Sequence, residues 1–419
     1  QDVALSPEAK KKLQAEVDAV KEASEAAING AKKNDDVDKA KKSAEAAIKA
    51  INSARLPANK VIAKNPQALD DKEQAELKKA IEAVNPPGTK VVVSPDGSAE
   101  VTLPGKTVAE PLKQTDLTKD VNALDTAGGG NNINRPTDKV IVANPESLTD
   151  ADKENIKKAV REVNPNAVVT IDDNGKVTVS TPEGNTAGFT AKELVRTLAD
   201  AANPDSGNAG VRKPADKLVG DATNADLQAK ATEKLKKLNG EDAKVKYDDE
   251  GNATVVLKDG TIATIPAGDL FKTEEDAKKA NGGDDINKPN AQTVVEDIAA
   301  LQGEANKEKL DKVKAEIKAK VEAVNPGAVV VVDDQGNAVV TTEGKTAVID
   351  ADDLIKGADE KTNPKAGNNI NNPADRVRVA DSTQLTDPEI ARIKAAVEAV
   401  NPDATVVVDD NGNATVTTK

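Results

Sequence analysis

The sequence predicts an α+β protein made of tandem small domains. Each domain is expected to pack one helix on a small mixed sheet in the order β-α-β-β-β, after an N-terminal α-helical hairpin or bundle fragment. Two independent markers predict the repeat. Four linkers end in proline, and their prolines are spaced 78, 75 and 84 positions apart: residues 130–136, 211–214, 284–289 and 368–373. An Asn after the main helix is the second marker, followed by Pro in four units and by Gly in the other: Asn85, Asn164, Asn239, Asn325 and Asn401. Two markers with one period establish a repeat.

These markers divide the chain into a helical segment and five units. The helical segment takes residues 1–56, and units 1 to 5 take residues 57–136, 137–214, 215–289, 290–373 and 374–419. Unit 3 diverges most from the others. Unit 5 stops before its third strand, which we interpret as the mark of a fragment excised from a longer array.

The helical segment is rich in Ala, Lys and Glu. Residues 5–29 and 37–51 place apolar residues at helical spacing, and a polar break at residues 32–36 separates them. This pattern indicates a helical hairpin or part of a three-helix bundle.

Each unit is predicted to open with a short β-type run, such as residues 139–142 or 376–379, followed by a capped helix. Thr149 with Asp152 has the spacing of a capping box, in which side-chain oxygens accept the first free N–H groups of a helix, and Thr386 with Glu389 repeats it. The helix then carries one apolar stripe, which predicts packing on a single sheet surface. In unit order, the stripe is Leu77, Ile81 and Val84; Ile156, Val160 and Val163; Ala231, Leu235 and Leu238; Ile317, Val321 and Val324; Ile393, Val397 and Val400.

A hairpin with an Asp-Asp-x-Gly turn is predicted after the helix. Its first strand and turn lie at residues 168–175, 329–336 and 405–412. Glycine at the end of the turn supplies the positive φ that a type I turn with a G1 bulge requires. A third short strand, at residues 261–265 and 345–349, and a helical start at residues 351–354 complete the unit.

The residue types that are absent limit the chemistry of the chain. It has no His, Cys, Met or Trp, and its aromatic residues are Tyr247, Phe189 and Phe271. It therefore lacks the usual nucleophile–base pairs, the nitrogen and sulfur ligands of zinc or copper, and a platform for stacking bases or sugars. We predict a protein that is not an enzyme, with no catalytic, cofactor-binding or metal-binding residue and no cofactor.

Charge and hydropathy exclude further classes. A net charge of −14 argues against nucleic-acid binding, because an acidic chain repels phosphate backbones. We find no apolar run that could span a membrane and no signal peptide, and the start at Gln1 is expected of a mature protein or an excised segment. The chain is expected to be a monomeric, elongated rod with its units set end to end. Ile133, Ile286 and Ile370 of the linkers should be at least partly buried at the domain junctions.

The repeated pattern resembles a known family. Leu-Thr-Asp-x-[Glu/Lys], an amphipathic helix, Val-Asn-Pro and a Val-rich hairpin around Asp-Asp-x-Gly-[Asn/Lys] resemble the atypical Rib-type repeats of Gram-positive wall-anchored surface proteins, over residues 57–419. Residues 27–31 and 46–52 are similar to the helical repeats of giant extracellular adhesins. The resemblance implies an extracellular, cell-wall-anchored stalk that projects a distal binding region, with host-binding roles in some members.

Unit 3 departs from the family pattern at Asn239-Gly240 and with Tyr247 at a Val position. Residues 103–107 are not the family's C-terminal sorting signal. Wall attachment is therefore inferred for a parent protein.

Three sharper hypotheses compete with simpler ones. The Asp-Asp-x-Gly turns could bind calcium, but they lack the alternating carboxylates and final Glu of an EF-hand, which favours ordinary hairpin turns. Lys with Asn or Asp could form intramolecular isopeptide bonds, but no pair is identifiable and no aromatic pocket is available. Tyr247 could anchor an interface, but covering the sheet of unit 3 is favoured. Phe189 and Phe271 are predicted to lie in the core.

The leading functional hypothesis is a non-enzymatic extracellular spacer of a surface adhesin. The alternative is that the repeats themselves bind a host serum or matrix protein, and unit 3 is then the candidate because it diverges most. A carboxylate-based glycosidase would need two carboxylates converging in a cleft, and single-layer repeats of this size are expected to offer none.

Overall fold

A computed structural model describes residues 6–120, 133–202, 210–279, 283–295, 297–342, 344–357, 370–373, 376–381 and 384–417. Parts of the predicted linkers, at residues 130–132 and 368–369, and the predicted start of the first helix at Leu5 lie outside the described residues. Helices and strands account for 38% and 22% of the structure, and the α+β class with tandem small domains is confirmed.

The elements follow the predicted repeat closely. The N-terminal hairpin contains α1 (Pro7–Asn29) and α2 (Asn34–Lys49). Unit 1 begins at β1 (Leu56–Pro57) and continues with β2 (Val61–Ala63), α3 (Asp71–Val84), β3 (Lys90–Val93), β4 (Ala99–Thr102), β5 (Glu110–Leu112), α4 (Gln114–Leu117) and β6 (Thr118–Asp120). Unit 2 contains β7 (Val140–Ile141), α5 (Asp150–Val163), β8 (Val168–Ile171), β9 (Lys176–Ser180), β10 (Thr186–Thr190), α6 (Ala191–Leu194) and β11 (Val195–Arg196).

The remaining units repeat this series. Unit 3 contains β12 (Leu218–Val219), α7 (Ala225–Asn239), β13 (Lys244–Tyr247), β14 (Ala253–Val256), β15 (Ile262–Ile265), α8 (Ala267–Leu270) and β16 (Phe271–Lys272). Unit 4 contains β17 (Thr293–Val294), α9 (Lys307–Val324), β18 (Val329–Val332), β19 (Ala338–Thr342), β20 (Lys345–Ile349), α10 (Ala351–Leu354) and β21 (Ile355–Lys356). Unit 5 contains α11 (Asp387–Val400), β22 (Thr405–Val408) and β23 (Ala414–Thr417).

The sheet arrangement differs from the predicted single mixed sheet. In units 1 to 4 the hairpin and the third strand form an antiparallel meander. The opening strand pairs instead, in parallel, with a short strand that follows the trailing helical turn, as in β2–β6, β7–β11, β12–β16 and β17–β21. The helical turn brings the chain back beside its opening strand, and this returning strand, two or three residues long, is too short to show in the sequence pattern. The strand predicted at residues 376–379 of unit 5 is not present in the described structure.

The helix stripes and caps explain how each unit packs. Asp152 N–H donates to Thr149 Oγ1 at 3.2 Å and Thr149 N–H to Asp152 Oδ2 at 2.9 Å, which confirms the predicted capping box. The box at Thr386 and Glu389 is also present. Leu77, Ile81, Ile156 and Val160 are fully buried against the sheets. The stripe is less completely covered in units 3 to 5, where one or two of its residues are half-buried: Leu238, Val324, Ile393 and Val400.

The three aromatic residues pack in or against the cores of units 2 and 3. Phe189 and Phe271 are buried, as predicted. Tyr247 is half-buried, its ring lies 6.3 Å from that of Phe271, and its hydroxyl donates to the Gln228 carbonyl at 3.0 Å. These contacts support the packing role of Tyr247 over the role of an interface anchor.

The predicted helical hairpin is confirmed, and it packs on unit 2. Val20, Ala23, Ala44 and Ala47 are buried with Val168 of β8. The hairpin thus covers the outer sheet face of unit 2, although unit 1 lies between the two in the sequence. No helix in the described part of the chain is long and apolar enough to cross a membrane.

Candidate functional site at the junctions between units

The Asn that follows each main helix clamps the linker that precedes its own unit. Asn164 Oδ1 accepts the Asn134 N–H at 2.8 Å, and its Nδ2 donates to the carbonyls of Asn134 and Val160, both at 2.8 Å. The same bonds are made in the other units by Asn85, Asn239, Asn325 and Asn401. One amide side chain therefore satisfies the end of a helix and two backbone groups of the linker. This accounts for a marker that served in the sequence only to locate the end of a helix.

The linker residue before each clamped residue packs against the unit that follows the linker. Ile133 and Ile286 are buried and Ile370 is half-buried, so the prediction for these three residues is confirmed. Val211 takes the same place in unit 3 and is fully buried. Each linker is anchored by a side chain as well as by the Asn clamp.

The three residues around the linker proline then cross to the following unit. We call these residues, at 56–58, 135–137 and 213–215, the leading segments of units 1, 2 and 3. Each adds a parallel strand or bridge to the third strand of the next unit, in the pairs Pro57↔Gly188, Pro136↔Thr264 and Pro214↔Val348. The expectation of units set end to end is therefore wrong, since consecutive units overlap and share a sheet.

The hydrogen bonds of this strand addition are short and regular. Thr264 N–H donates to the Arg135 carbonyl at 2.7 Å, and Thr137 N–H donates to the Thr264 carbonyl at 3.0 Å. At the next junction, Val348 N–H donates to the Lys213 carbonyl at 2.8 Å and Ala215 N–H to the Val348 carbonyl at 2.9 Å. Proline is tolerated between these groups because its missing N–H is not needed there.

Each leading segment also delivers a small side chain to the next unit. Ala58 lies in the core of unit 2 and Ala215 in the core of unit 4, and Thr137 at the same place is fully buried. Gly188 also allows the main helix of unit 1 to pack closely: a Cβ at this position would lie 3.0 Å from Val84 Cβ of α3.

Contacts also reach the unit after next. A 3-10 turn at Asp200–Ala202, after the last strand of unit 2, contacts β18 of unit 4, and one at Asp276–Lys278, after the last strand of unit 3, contacts β22 of unit 5. The N-terminal hairpin makes the equivalent contact with β8 of unit 2. Each junction therefore involves three consecutive parts of the chain.

A buried ion cluster joins units 2, 3 and 4. Lys213 Nζ donates to Asp138 Oδ2 at 2.6 Å and also to Asp269, and Lys345 Nζ donates to Asp269 Oδ1 at 2.9 Å. Only 3% of the Lys213 side chain and 6% of that of Asp269 are exposed. Asp138 also accepts the Thr346 N–H at 3.3 Å. Two cations and two anions thus offset one another, with Lys345, whose side chain is 36% exposed, at the edge of the cluster.

The pKa values of this cluster follow from burial and mutual attraction. Burial works to lower the pKa of Lys213, but Asp138 and Asp269 outweigh it and raise that pKa above its usual range. Burial works to raise the pKa of Asp269, but Lys213 and Lys345 hold it well below the usual range. Burial raises the pKa of Asp138. The side chain of Lys213 is stabilised as the charged ammonium, so the cluster is ionic.

The sequence profile of the atypical Rib domain matches residues 52–121, 131–198 and 368–419. Three regions of the chain are atypical Rib domains. The resemblance to atypical Rib repeats that the sequence predicted is confirmed in these three regions. Each matched region begins in the linker, in agreement with the anchoring of Ala54, Ile133 and Ile370 to the units that follow them. The family consists of adhesin repeats and is not one of enzymes.

Solved structures add similarities that are low in identity. A sialic acid binding region of a Streptococcus sanguinis SK1 adhesin is 15% identical over 66% of this chain and 77% of its own, with a TM-score of 0.15. The SrpA adhesin of Streptococcus sanguinis is 22% identical over 24% of this chain, with a TM-score of 0.15, and the match spans about half (49%) of its length. A GspB Siglec domain is 17% identical over 26% of this chain and 71% of its own, with a TM-score of 0.15. No curated protein matches.

A cleft lies between units 3 and 4, where the sequence led us to expect none. It encloses about 200 Å³ and is lined by Lys234, Lys237 and Lys288 together with Asp216, Asp350, Asp352 and Asp353. Lys237 Nζ lies 2.8 Å from Asp350 and 2.5 Å from Asp352, and Lys288 Nζ lies 3.0 Å from Asp353. Every one of these carboxylates is ion-paired with a lysine. The walls are therefore a charge network and not a pair of carboxylates set for glycoside hydrolysis.

The carboxylates of the Asp-Asp-x-Gly turns have local partners. Asp172 Oδ1 accepts the N–H groups of Asn174 and Lys176, both at 2.9 Å, while Asp173 lies 3.3 Å from Lys153. Gly175 has φ of 73°, as the predicted turn requires. These bonds explain the two adjacent aspartates as ordinary residues of a hairpin turn. In the described part of the chain, no cluster of three or more acidic side chains could hold a metal ion.

The groups that join the units were not predicted from the sequence. Lys213, Asp138 and Asp269 are the Lys–Asp set for which the isopeptide hypothesis had no candidate. An amide bond would require the neutral amine, whereas the geometry stabilises the ammonium. Their signal in the sequence is weak because 56 to 75 residues separate Lys213 from its two partners.

Proposed function

We propose that this chain is a stiff, non-enzymatic, extracellular stalk of a bacterial surface adhesin that projects a binding region from the cell wall. The observation that supports it best is the overlap of consecutive units. A leading segment that belongs to one sheet and is clamped to another unit has little freedom to bend at the junction. Loose tethers would leave the linker backbone in water.

The junction chemistry supports the same proposal. In a repeat array, stability is approximately the sum of unit stabilities and interface contributions. Clamps, shared sheets and the buried ion cluster place large contributions in the interfaces. A projecting stalk needs interfaces of this kind, since it must keep its length under load.

Small-angle scattering of the full chain tests the stalk. A compact globule of this length would have a radius of gyration of about 22 Å by the usual scaling. We expect a clearly larger value and a monomer at all concentrations, because the acidic surface discourages association. A radius near the compact value would contradict the proposal and would mean that the units fold back on one another.

The location and unit boundaries are part of the proposal. Atypical Rib repeats support an extracellular, wall-attached parent protein, and protease treatment of intact source cells should release fragments of this chain.

We retain residues 57–136, 137–214, 215–289, 290–373 and 374–419 as the units. Because the leading segments are hydrogen-bonded, cleavage by a protease in limited amounts should avoid residues 56–58, 135–137 and 213–215.

The alternative function is binding of a host serum or matrix protein by the repeats themselves, and the cleft between units 3 and 4 favours it. One similar structure is named as a sialic acid binding region, so glycans join proteins as probes. The test is retention of serum, matrix proteins and sialylated glycans on immobilised full chain. Loss of a retained partner in K237A, but not in K230A on the same helix, would support this function; no retained partner would contradict it.

A further inference from the structure

The sheet edge that receives a leading segment differs in unit 1. In units 2, 3 and 4 the receiving residues are Gly188, Thr264 and Val348, each in the third strand of its meander. The register across the meander identifies their counterpart: Gly188 pairs with Thr178, Thr264 with Thr254 and Val348 with Val339, and in unit 1 the equivalent pair is Pro111 with Glu100. The receiving position of unit 1 is therefore a proline.

Proline removes the group on which docking depends. At two junctions the receiving residue donates its N–H to the leading segment, through Thr264 to Arg135 and through Val348 to Lys213. Pro111 has no N–H, and its ring occupies the space on that edge. A proline on an edge strand is also a known means of preventing another strand from pairing there.

The outer face of unit 1 shows the same difference. Thr254 and Val339 are buried, whereas Glu100 at their position is exposed. Terminal units of repeat arrays carry polar outer faces of this kind, since no neighbour covers them.

We infer that unit 1 is the capping unit of the array and that Pro111 closes its edge against the leading segment of a second copy of this chain. The inference is independent of whether the chain is a stalk or a binding protein. It predicts that restoring a backbone N–H at position 111 creates a docking site for a segment of the type Arg-Lys-Pro-Ala.

The test uses the full chain and a synthetic peptide of residues 210–217, titrated while amide chemical shifts are followed. Wild type should show no saturable shift at β5. P111T, which carries the residue that unit 3 has at this position, should show saturable shifts at residues 110–112 and bind at least about tenfold more tightly than wild type. P104T, which removes a proline from a turn of the same unit, is the matched control and should behave as wild type. Equal binding by wild type, or a folded P111T that does not bind, would overturn the inference.

A converse substitution keeps the inference testable if P111T does not fold. T264P places proline at the receiving position of unit 3, and T264V keeps the N–H while removing the hydroxyl. Hydrogen exchange at the Thr137 amide, which donates to the Thr264 carbonyl, reports docking of the leading segment. Its protection should fall about tenfold or more in T264P and much less in T264V. Unchanged protection in T264P would show that proline does not block the edge.

Discussion

Two junctions, between units 1 and 2 and between units 3 and 4, share the same backbone strand addition but differ in side-chain chemistry. The residue before the linker proline is Leu56 at the first junction, where it is half-buried against the cores of both units. At the other junction it is Lys213, which is buried between two aspartates. The comparison shows that strand addition tolerates either an apolar side chain or a neutralised charge, provided that the side chain suits its surroundings.

The two solutions should differ in their sensitivity to substitution. Apolar contact is lost in proportion to the area that is exposed, whereas removing one member of a buried ion cluster leaves the others without a partner. The junction of units 3 and 4 should therefore be damaged more by a single substitution.

The largest expected effect is that of K213A. It leaves Asp138 and Asp269 without their shared cation and should cost about 3–5 kcal/mol of unfolding free energy. Chemical denaturation of the full chain, followed in units 3 and 4 by hydrogen exchange, measures it. K258A is the matched control, because Lys258 pairs with Asp242 at 3.3 Å on the surface, where such a pair contributes about 0–1 kcal/mol. If K213A cost no more than K258A, the cluster would not be what holds this junction. The triple variant K213M/D138N/D269N should recover much of the loss.

An intermediate and equal effect is expected from N85A and N239A. Asn85 clamps the linker before unit 1 and Asn239 the linker before unit 3, each with bonds of 2.7 to 2.8 Å. Loss of either amide leaves buried backbone groups unpaired, which costs about 1–3 kcal/mol. N174A, at an exposed turn residue, is the control and should change little. Clearly unequal costs would mean that the two junctions differ in their backbone anchoring as well as in the residue before proline.

The smallest expected effect is that of L56A. Fully buried leucines cost about 2–5 kcal/mol when cut back to alanine, and half-burial of Leu56 should reduce this to about 1–2 kcal/mol. Thermal unfolding compared with that of L198A, at an exposed leucine just after the last strand of unit 2, provides the measurement. A cost as large as that of K213A would remove the distinction between an apolar and an ionic junction.

Most of each unit was predictable from local sequence. Apolar spacing placed Leu77, Ile81, Ile156 and Val160 on buried helix faces, since the helical period leaves a clear pattern in one sequence. The turn glycines and capping boxes were predictable because their conformations demand particular residues within a few positions. The returning strands β6, β11, β16 and β21 could not be predicted, since a strand of two or three residues is too short to show a hydrophobic period.

The candidate site was predictable only in part. Burial of the linker isoleucines could be predicted because an isolated apolar side chain in a Gly- and Asn-rich segment is stabilised only when it leaves water. The Asn clamp was visible as a repeated residue, but its partners were not, since backbone groups carry no side-chain signature. The cleft between units 3 and 4 escaped prediction because its walls come from elements more than a hundred residues apart in the chain.

By itself, the sequence determined the period, the helix and hairpin of each unit, the residues that cap and turn them, and the lack of a kit for acid–base or metal chemistry. These are local properties, fixed by residues within about one helix or hairpin of one another. Tertiary structure alone decided that the units overlap, that Lys213 shares a cluster with Asp138, Asp269 and Lys345, and that Pro111 occupies a receiving position. The physical reason is that strand addition uses the backbone, which is the same in every residue except proline. Which strands pair with one another therefore depends on which sheet edges the folded units bring together.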